Sequence, residues 1–156
     1  MSIEKVRDYF KQWDMENRII EFDVSSATVE LASLALACDP KRIAKTLAFK
    51  VNEKPILIVA SGDCRVDNKK YKAKFSTRPK MLSPQELIDL VGYAAGGVCP
   101  FAVKEGVTVY LDESLRRFDK VFPACGSSNS VIELTIEELE RFSNYSAWID
   151  VCKDWD

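Results

Sequence analysis

Residues 45–61 read KTLAFKVNEKPILIVAS, and the prediction of the fold begins from this stretch. Two runs rich in β-branched, aromatic and other apolar residues, 45–51 and 55–61, flank the polar turn Asn52-Glu53-Lys54. Such runs on either side of a short polar turn predict a β-hairpin. We therefore expect two antiparallel strands here.

Two capping boxes mark helix starts further along the chain. Ser83-Pro84-Gln85-Glu86 combines a capping box with proline at the first helical position, which predicts a helix that runs to Val91 and stops at Gly92. Thr135-Ile136-Glu137-Glu138 predicts a second helix, to about Phe142.

Weaker patterns supply the other expected elements. They are an amphipathic helix spanning 3–13, a strand at 19–24, a helix at 28–37 capped by Ser25 and Ser26, a helix from Asp67 to Lys74, strands at 107–111, 120–124 and 131–134, a short helix from Asp112 to Phe118, and a mixed tail. Short strands mixed with helices predict an α/β domain with a curved, largely antiparallel sheet flanked by helices.

Composition is ordinary for a soluble domain, with 47% hydrophobic and 29% charged residues among 156. A chain of this length is expected to fold as one domain, residues 1–156, around its own core. Its longest apolar runs fall far short of the ~20 residues of a membrane helix. Charged residues among the first eight positions are atypical of a secretory signal. We therefore expect a cytoplasmic protein with no membrane partner.

The chain has no histidine and five cysteines. The lack of histidine excludes Ser-His-Asp and Cys-His catalysis and histidine metal sites. The cysteines are widely separated and form no CxxC pair, which fits neither a disulfide framework nor a zinc site. No P-loop or dinucleotide fingerprint occurs. The sequence therefore predicts reduced thiols, no metal site and no cofactor.

Charge is unevenly distributed although the net charge is only -2. Residues 41–80 carry twelve basic and three acidic side chains, so this segment is +9 and the remainder is -11. Such asymmetry predicts a surface that meets a polyanion, with Tyr71 and Phe75 as stacking surfaces, although a solvated helix face is the alternative. The candidate contacts are Lys69, Lys70, Lys72 and Lys74.

Three loops place glycine or polar residues beside expected strand ends, where sites are commonly built. Lys45 begins the first hairpin strand, and a lysine there could hold a phosphate or a polarised carbonyl oxygen, although a solvated cation at a strand start is the alternative. Gly62, Asp63 and Asp67 follow the second strand, and the acids either orient a water or ribose or serve turns and caps.

The third loop, residues 93–101, reads YAAGGVCPF. Adjacent glycines let backbone N–H groups approach an oxyanion closely, although a tight turn is the alternative interpretation. With no histidine to activate Cys99, we expect no covalent acyl-enzyme step.

Taken in order, these pieces resemble the YbaK/EbsC family, relatives of the editing domain of bacterial prolyl-tRNA synthetase that hydrolyse wrongly charged aminoacyl-tRNA. The likeness runs from about residue 25 to 142. It is carried by Pro40, Ile43-Ala44-Lys45-Thr46-Leu47, Ala60-Ser61-Gly62-Asp63, Val66-Asp67, Lys69-Lys70, Gly92-Tyr93, Gly96-Gly97-Val98-Cys99-Pro100-Phe101, Asp112-Ser114-Leu115 and Ala124-Cys125-Gly126.

The resemblance implies a barrel-like sheet with a pocket between the Lys45 strand and the Gly96 loop. It also implies a trans-acting, metal-independent aminoacyl-tRNA deacylase that acts on mischarged tRNA for proline or a related tRNA. The implied catalytic residues are Lys45, Gly96 and Gly97. The implied substrate contacts are Thr46, Gly62, Asp63, Asp67, Tyr93, Val98, Pro100, Phe101, Cys125, Gly126 and Val131.

The implied partner is the acceptor end of mischarged tRNA, which the lysines of residues 69–74 would bind; prolyl-tRNA synthetase is a second candidate partner, and DNA is not one. Three residues depart from the family pattern: Ala102 and Cys125, where glycine is common, and Val131, where some members place a polar substrate-reading residue. A non-catalytic tRNA-binding or synthetase-binding module is the alternative function.

Overall fold

The computed structural model describes residues 2–155. Its α-helices are α1 (Ser2–Lys11), α2 (Val29–Leu36), α3 (Asn68–Phe75), α4 (Pro84–Glu86) and α5 (Ile136–Ser143). Its strands are β1 (Ile19–Glu21), β2 (Ile43–Val51), β3 (Lys54–Ser61), β4 (Arg65–Val66), β5 (Thr108–Asp112), β6 (Lys120–Pro123), β7 (Ser130–Ile132), β8 (Leu134–Thr135), β9 (Ala147–Ile149) and β10 (Cys152–Lys153). Short 3₁₀ turns lie at Glu16–Arg18, Pro40–Arg42 and Glu113–Arg117, and a π-helical turn, Leu87–Val91, extends α4.

A strongly curled, half-barrel sheet forms the centre of the molecule, with strand order β8-β6-β2-β3-β5-β9. The hairpin β2–β3 is antiparallel from Ala44 opposite Ser61 to Val51 opposite Lys54, so the predicted hairpin is confirmed. Its turn residues Asn52 and Glu53 have φ of 51° and 64°, as a two-residue turn of type I′ requires. The mixed α/β fold with a curved sheet is likewise confirmed.

The expectation of a largely antiparallel sheet is wrong for this central sheet. Three neighbouring strand pairs are parallel: β2 with β6, β3 with β5, and β5 with β9. Parallel strands need a long crossover between them, so their pairing leaves no local turn signal in the sequence. Two small antiparallel pairs, β1–β7 and β4–β10, lie outside the central sheet.

Both predicted capping boxes are present, at Ser83 and at Thr135. Asp67 caps α3 as expected, whereas α2 is capped by Thr28 rather than by the serines before it. The predicted mixed tail supplies β9 and β10. Among residues 2–155, no helix combines the length and the apolar character needed to cross a membrane.

The sheet separates two buried clusters because successive β3 residues point to opposite faces. Leu57 and Val59 pack with α1 and α5, and Ile58 and Ala60 pack with α3. Tyr71 belongs to the second cluster and is 0% exposed. Its expected role as a stacking surface is therefore wrong, because the aromatic side of α3 faces the sheet.

Candidate active site

A cavity of about 290 Å³ lies between β2, the start of α2 and the glycine loop. Its walls are mostly apolar, supplied by α2, β2, Phe122, Ala124 and Val131, and its polar lining comes from Ser26, Thr28, Lys45 and Thr46. Among the residues expected from sequence, those that line it are Lys45, Thr46, Gly96, Val98 and Val131. The β2 strand and the glycine loop therefore do meet around one cavity.

The Lys45 side chain is partly buried, and its ammonium donates a hydrogen bond to the carbonyl of Cys64. Cys64 closes the turn after β3, where its N–H donates to the Ser61 carbonyl at 3.2 Å. Within residues 2–155 no carboxylate forms an ion pair with Lys45. The turn therefore fixes the ammonium with a neutral acceptor, and its positive charge remains available to a ligand.

Thr46 follows Lys45 on β2 and also lines the cavity. Its Oγ1 is buried and has no hydrogen-bond partner within the described chain. Buried hydroxyls are normally hydrogen-bonded, so this atom is suited to a polar group of a bound molecule.

The glycine loop contributes backbone to the cavity. Gly96 lines it with a φ of +90°, a conformation in which glycine is favoured. The Gly97 N–H donates to the Ala94 carbonyl at 3.2 Å, and a Cβ at Gly97 would lie 2.8 Å from the backbone of Gly126. Gly97 and Gly126 therefore pack together, and Gly96 is the better-placed amide for a ligand.

Other expected substrate contacts lie behind this loop rather than in the cavity. Tyr93 and Phe101 are 1% and 0% exposed, and the Tyr93 hydroxyl donates to the Phe101 carbonyl. Pro100 and Cys125 are also buried outside the cavity lining. Burial raises the pKa of Cys99 to about 12, so this thiol is protonated at neutral pH.

Asp63 is held by its neighbours instead of facing the cavity. Arg117 donates to both carboxylate oxygens, at 3.0 and 2.7 Å, and the Ser61 hydroxyl donates at 2.6 Å. Burial alone would raise the pKa of Asp63, but these hydrogen bonds lower it below its usual value. Arg117 has no signal in the local sequence, and its part in this network emerges only from the fold.

Asp67 and Gly62 have structural positions as well. The Asp67 carboxylate accepts the N–H groups of Lys69 at 2.9 Å and Lys70 at 3.5 Å, and these bonds lower its pKa. A Cβ at Gly62 would lie 2.2 Å from the Pro40 carbonyl oxygen, so the close packing of two loops requires glycine.

The lysines of α3 differ in their surroundings. Lys69, Lys72 and Lys74 are exposed, whereas Lys70 donates to the Asp150 carboxylate at 3.0 Å and to the Cys152 carbonyl at 2.9 Å. Three of the four lysines thus present their charge to solvent, and Lys70 fastens α3 to the tail.

The sequence reasoning missed Ala27, Val29 and Ala32 on the α2 side of the cavity, and also Met81 and Leu87. These residues are small or apolar and carry no chemical signature, so no motif could reveal them.

A half-barrel sheet with a lysine and a glycine loop around one cavity is the arrangement expected of an editing domain. Residues 24–142 match the family model of the aminoacyl-tRNA editing domain, and the chain belongs to this family. The resemblance stated from the sequence motifs is thereby confirmed.

Individual relatives agree with this assignment. The chain is 52% identical, over the full length of both chains, to the uncharacterized protein YwhH of Bacillus subtilis (strain 168). It is 26% identical over 125 residues to proline--tRNA ligase of Geobacillus sp. (strain WCH70), which covers 80% of this chain and 22% of the ligase. The crystal structure of a candidate trans-editing enzyme for prolyl tRNA synthetase matches with a TM-score of 0.86 and 25% identity, covering 97% of each chain.

Proposed function

We propose that the protein is a trans-acting deacylase that hydrolyses the ester of mischarged tRNA for proline or a related tRNA. The observation that carries the proposal is that Lys45, Thr46 and Gly96 line one cavity in a chain of the editing family. The similarity to part of proline--tRNA ligase supports the choice of tRNA.

The chemistry requires little from the protein because an aminoacyl ester is already activated. A water oxygen forms the new bond to the carbonyl carbon, and the bond from that carbon to the ribose oxygen breaks. The Gly96 N–H would stabilise the oxyanion that develops in between, a contribution of ~2.7–4 kcal/mol for a single well-placed donor. A proton must reach the departing ribose oxygen, and a substrate hydroxyl, amine or thiol can carry it. Lys45 would hold the terminal phosphate or the ester oxygen.

The size and polarity of the cavity restrict which amino acid, esterified to the tRNA, would be accepted. Its volume of about 290 Å³ and its apolar walls favour a small, uncharged side chain over a large or charged one. The unpartnered Thr46 hydroxyl would select for a polar group on that side chain or on the α-carbon.

The test is deacylation of a panel of mischarged tRNAs by the wild-type protein and by Lys45→Ala. We expect the variant to lose turnover by about 10²-fold, the usual loss when one electrostatic contact to the reacting group is removed. Lys54→Ala, at an exposed position on the neighbouring strand of the hairpin, is the matched control and should keep full activity.

Two results would contradict the proposal. One is unchanged turnover in a folded Lys45→Ala protein. The other is a wild-type protein that binds tRNA but hydrolyses no member of the panel, which is the behaviour of a non-catalytic binding module.

A further inference from the structure

We propose that Cys64, Asp112 and Cys152 form a binding site for one thiophilic divalent cation such as Zn²⁺. The two sulfur atoms and a carboxylate oxygen lie within 4.8 Å of one another. Zn–S bonds of about 2.3 Å and Zn–O bonds of about 2.0–2.2 Å allow one ion to reach ligands at such separations. All three residues are buried, with 1%, 0% and 0% exposure.

The pairing of β4 with β10 explains how the two cysteines meet. Cys152 lies opposite Val66 on β4, and Cys64 immediately precedes β4, so this strand pairing brings the two cysteines close together. Both thiols are free in the structure, so each sulfur atom is available as a ligand.

The third ligand is already oriented. Asp112 ends β5, and its two oxygens accept the N–H groups of Val151 at 3.0 Å and Ser114 at 2.9 Å. Such hydrogen bonds to a ligating carboxylate are typical of metal sites. The Ser114 hydroxyl lies 3.6 Å from the Cys64 sulfur, so this hydroxyl or a water could complete four ligands.

Charge provides an independent argument. The Asp112 carboxyl group is fully buried, its hydrogen bonds come from the uncharged N–H groups of Ser114 and Val151, and no basic side chain within residues 2–155 forms an ion pair with it. A divalent ion with two thiolates and one carboxylate has a net charge of -1. The ammonium of Lys45 donates to the carbonyl of Cys64, so one positive charge without a carboxylate partner in residues 2–155 lies beside this anionic group. Lys70 donates to the carbonyl of Cys152 and is already paired with Asp150.

Binding would involve no redox change. The two thiols would release their protons to solvent as two metal–sulfur bonds form. Because the carbonyl of Cys64 holds the Lys45 ammonium, the ion would also tie the Lys45 anchor to the tail of the chain. The three ligands come from separate segments, which is why the cysteine spacing gave no sign of a metal site.

The experiment is a Co²⁺ titration of the metal-free, full-length protein, with a parallel sample refolded from denaturant in the presence of Zn²⁺ because the ligands are buried. We expect one ion per chain, a thiolate-to-cobalt charge-transfer band, release of about two protons per ion and a higher Tm. Cys64→Ser and Cys152→Ser should abolish the charge-transfer band. Cys38→Ser, which changes a partly exposed thiol outside the cluster, should retain it.

The proposal is overturned if the wild-type protein takes up no ion by either route, or if both serine variants keep the band. A Cys64–Cys152 disulfide, detected as a peptide pair two hydrogens lighter in mass, would overturn it too. Should the serine variants fail to fold, the stoichiometry and the charge-transfer band of the wild-type protein decide alone. None of these measurements depends on deacylase activity.

Discussion

Gly96 and Gly106 share a left-handed backbone but differ in what surrounds them. Their φ values are +90° and +93°. A Cβ at Gly96 would lie 3.1 Å from the Cβ of Ala27 beside the cavity, whereas a Cβ at Gly106 would meet nothing within 4 Å. The two positions therefore separate the cost of backbone strain from the effect of an added methyl group at the site.

We expect Gly96→Ala to reduce deacylation by at least about 10-fold, because the methyl group and the strained backbone would displace the amide that we propose to face the substrate. Gly106→Ala should lower Tm about as much as Gly96→Ala does, and it should keep wild-type turnover. Kinetics with mischarged tRNA and thermal unfolding of both variants check this. Equal turnover in the two variants would show that the Gly96 amide takes no part.

For individual residues, sequence motifs predicted the strands and loops of the site better than the orientation of each side chain. Lys45 and Gly96 line the cavity as expected, while Tyr93 and Phe101, drawn from the same loop motif, pack into the core. A motif marks a backbone shape, and which of its side chains face the ligand depends on packing partners that lie far away in sequence.

At the scale of single elements, the capping box of α5 carries an ion pair in addition to its hydrogen bonds. The Glu138 carboxylate accepts the Thr135 N–H at 2.9 Å and the Arg18 guanidinium at 2.6 Å. The hydrogen bond from Arg18 is the main cause that lowers the pKa of Glu138 to about 2. α5 is thus fastened to the segment before β1.

This lowered pKa predicts that the free energy of unfolding decreases in acid. Because the folded-state pKa of about 2 lies below the unfolded value of about 4.3, the contribution of Glu138 to stability is full above pH 4.3. It is lost as the pH falls towards 2. Glu138→Gln keeps an amide oxygen for the cap but loses the charge, so we expect a lower Tm at pH 7 and a flatter decline of Tm below pH 4.5. Glu137→Gln, at the exposed neighbouring position, should follow the wild-type curve.

α3 presents three exposed lysines of the basic segment. Replacing Lys69, Lys72 and Lys74 by alanine together should weaken tRNA binding and reduce the salt slope by about 0.7–0.9 for each phosphate that the variant no longer neutralises. Turnover at saturating tRNA should change less, because in the proposed complex these side chains would position the backbone of the nucleic acid. Lys70 is kept because it fastens α3 to the tail.

Affinity measured over a range of salt concentrations tests this role of α3. A triple alanine variant at the exposed lysines Lys11, Lys104 and Lys120 is the control, and it should leave the slope near that of the wild type. An unchanged slope in the α3 variant would mean that this helix presents only a solvated face.

At the scale of the whole molecule, the tail after α5 completes the structure although the family match ends at residue 142. β9 pairs with β5, β10 pairs with β4, and the Val151 N–H donates to Asp112. Strand pairing of this kind was not predictable from the sequence of the tail, because strands of two or three residues are too short to show an alternation of apolar and polar residues. The hairpin and the capping boxes were predictable because their signals are local.

Truncation after Ser143 should therefore abolish the cooperative unfolding transition, since it exposes the edge of β5 and removes the hydrogen bond from Val151 to Asp112. Truncation after Asp154 removes no strand and should lower Tm by only a few degrees. Circular dichroism during heating distinguishes the two. A cooperative transition in the shorter protein would show that the tail is dispensable.

The parallel pairings of β5 also bear on how the chain reaches this fold. β3 pairs with β5 across about fifty residues, as in Ile56 with Thr108, and β5 pairs with β9 across nearly forty, as in Tyr110 with Ala147. Contacts between residues so far apart in sequence form slowly, whereas the β2–β3 hairpin joins residues that are close in sequence. During synthesis on the ribosome, the hairpin can form early, but the outer edge of β5 stays uncovered until β9 has emerged. A nascent chain of this protein is therefore expected to expose an unpaired strand edge until β9 has emerged, and during that interval the chain is prone to edge-to-edge aggregation.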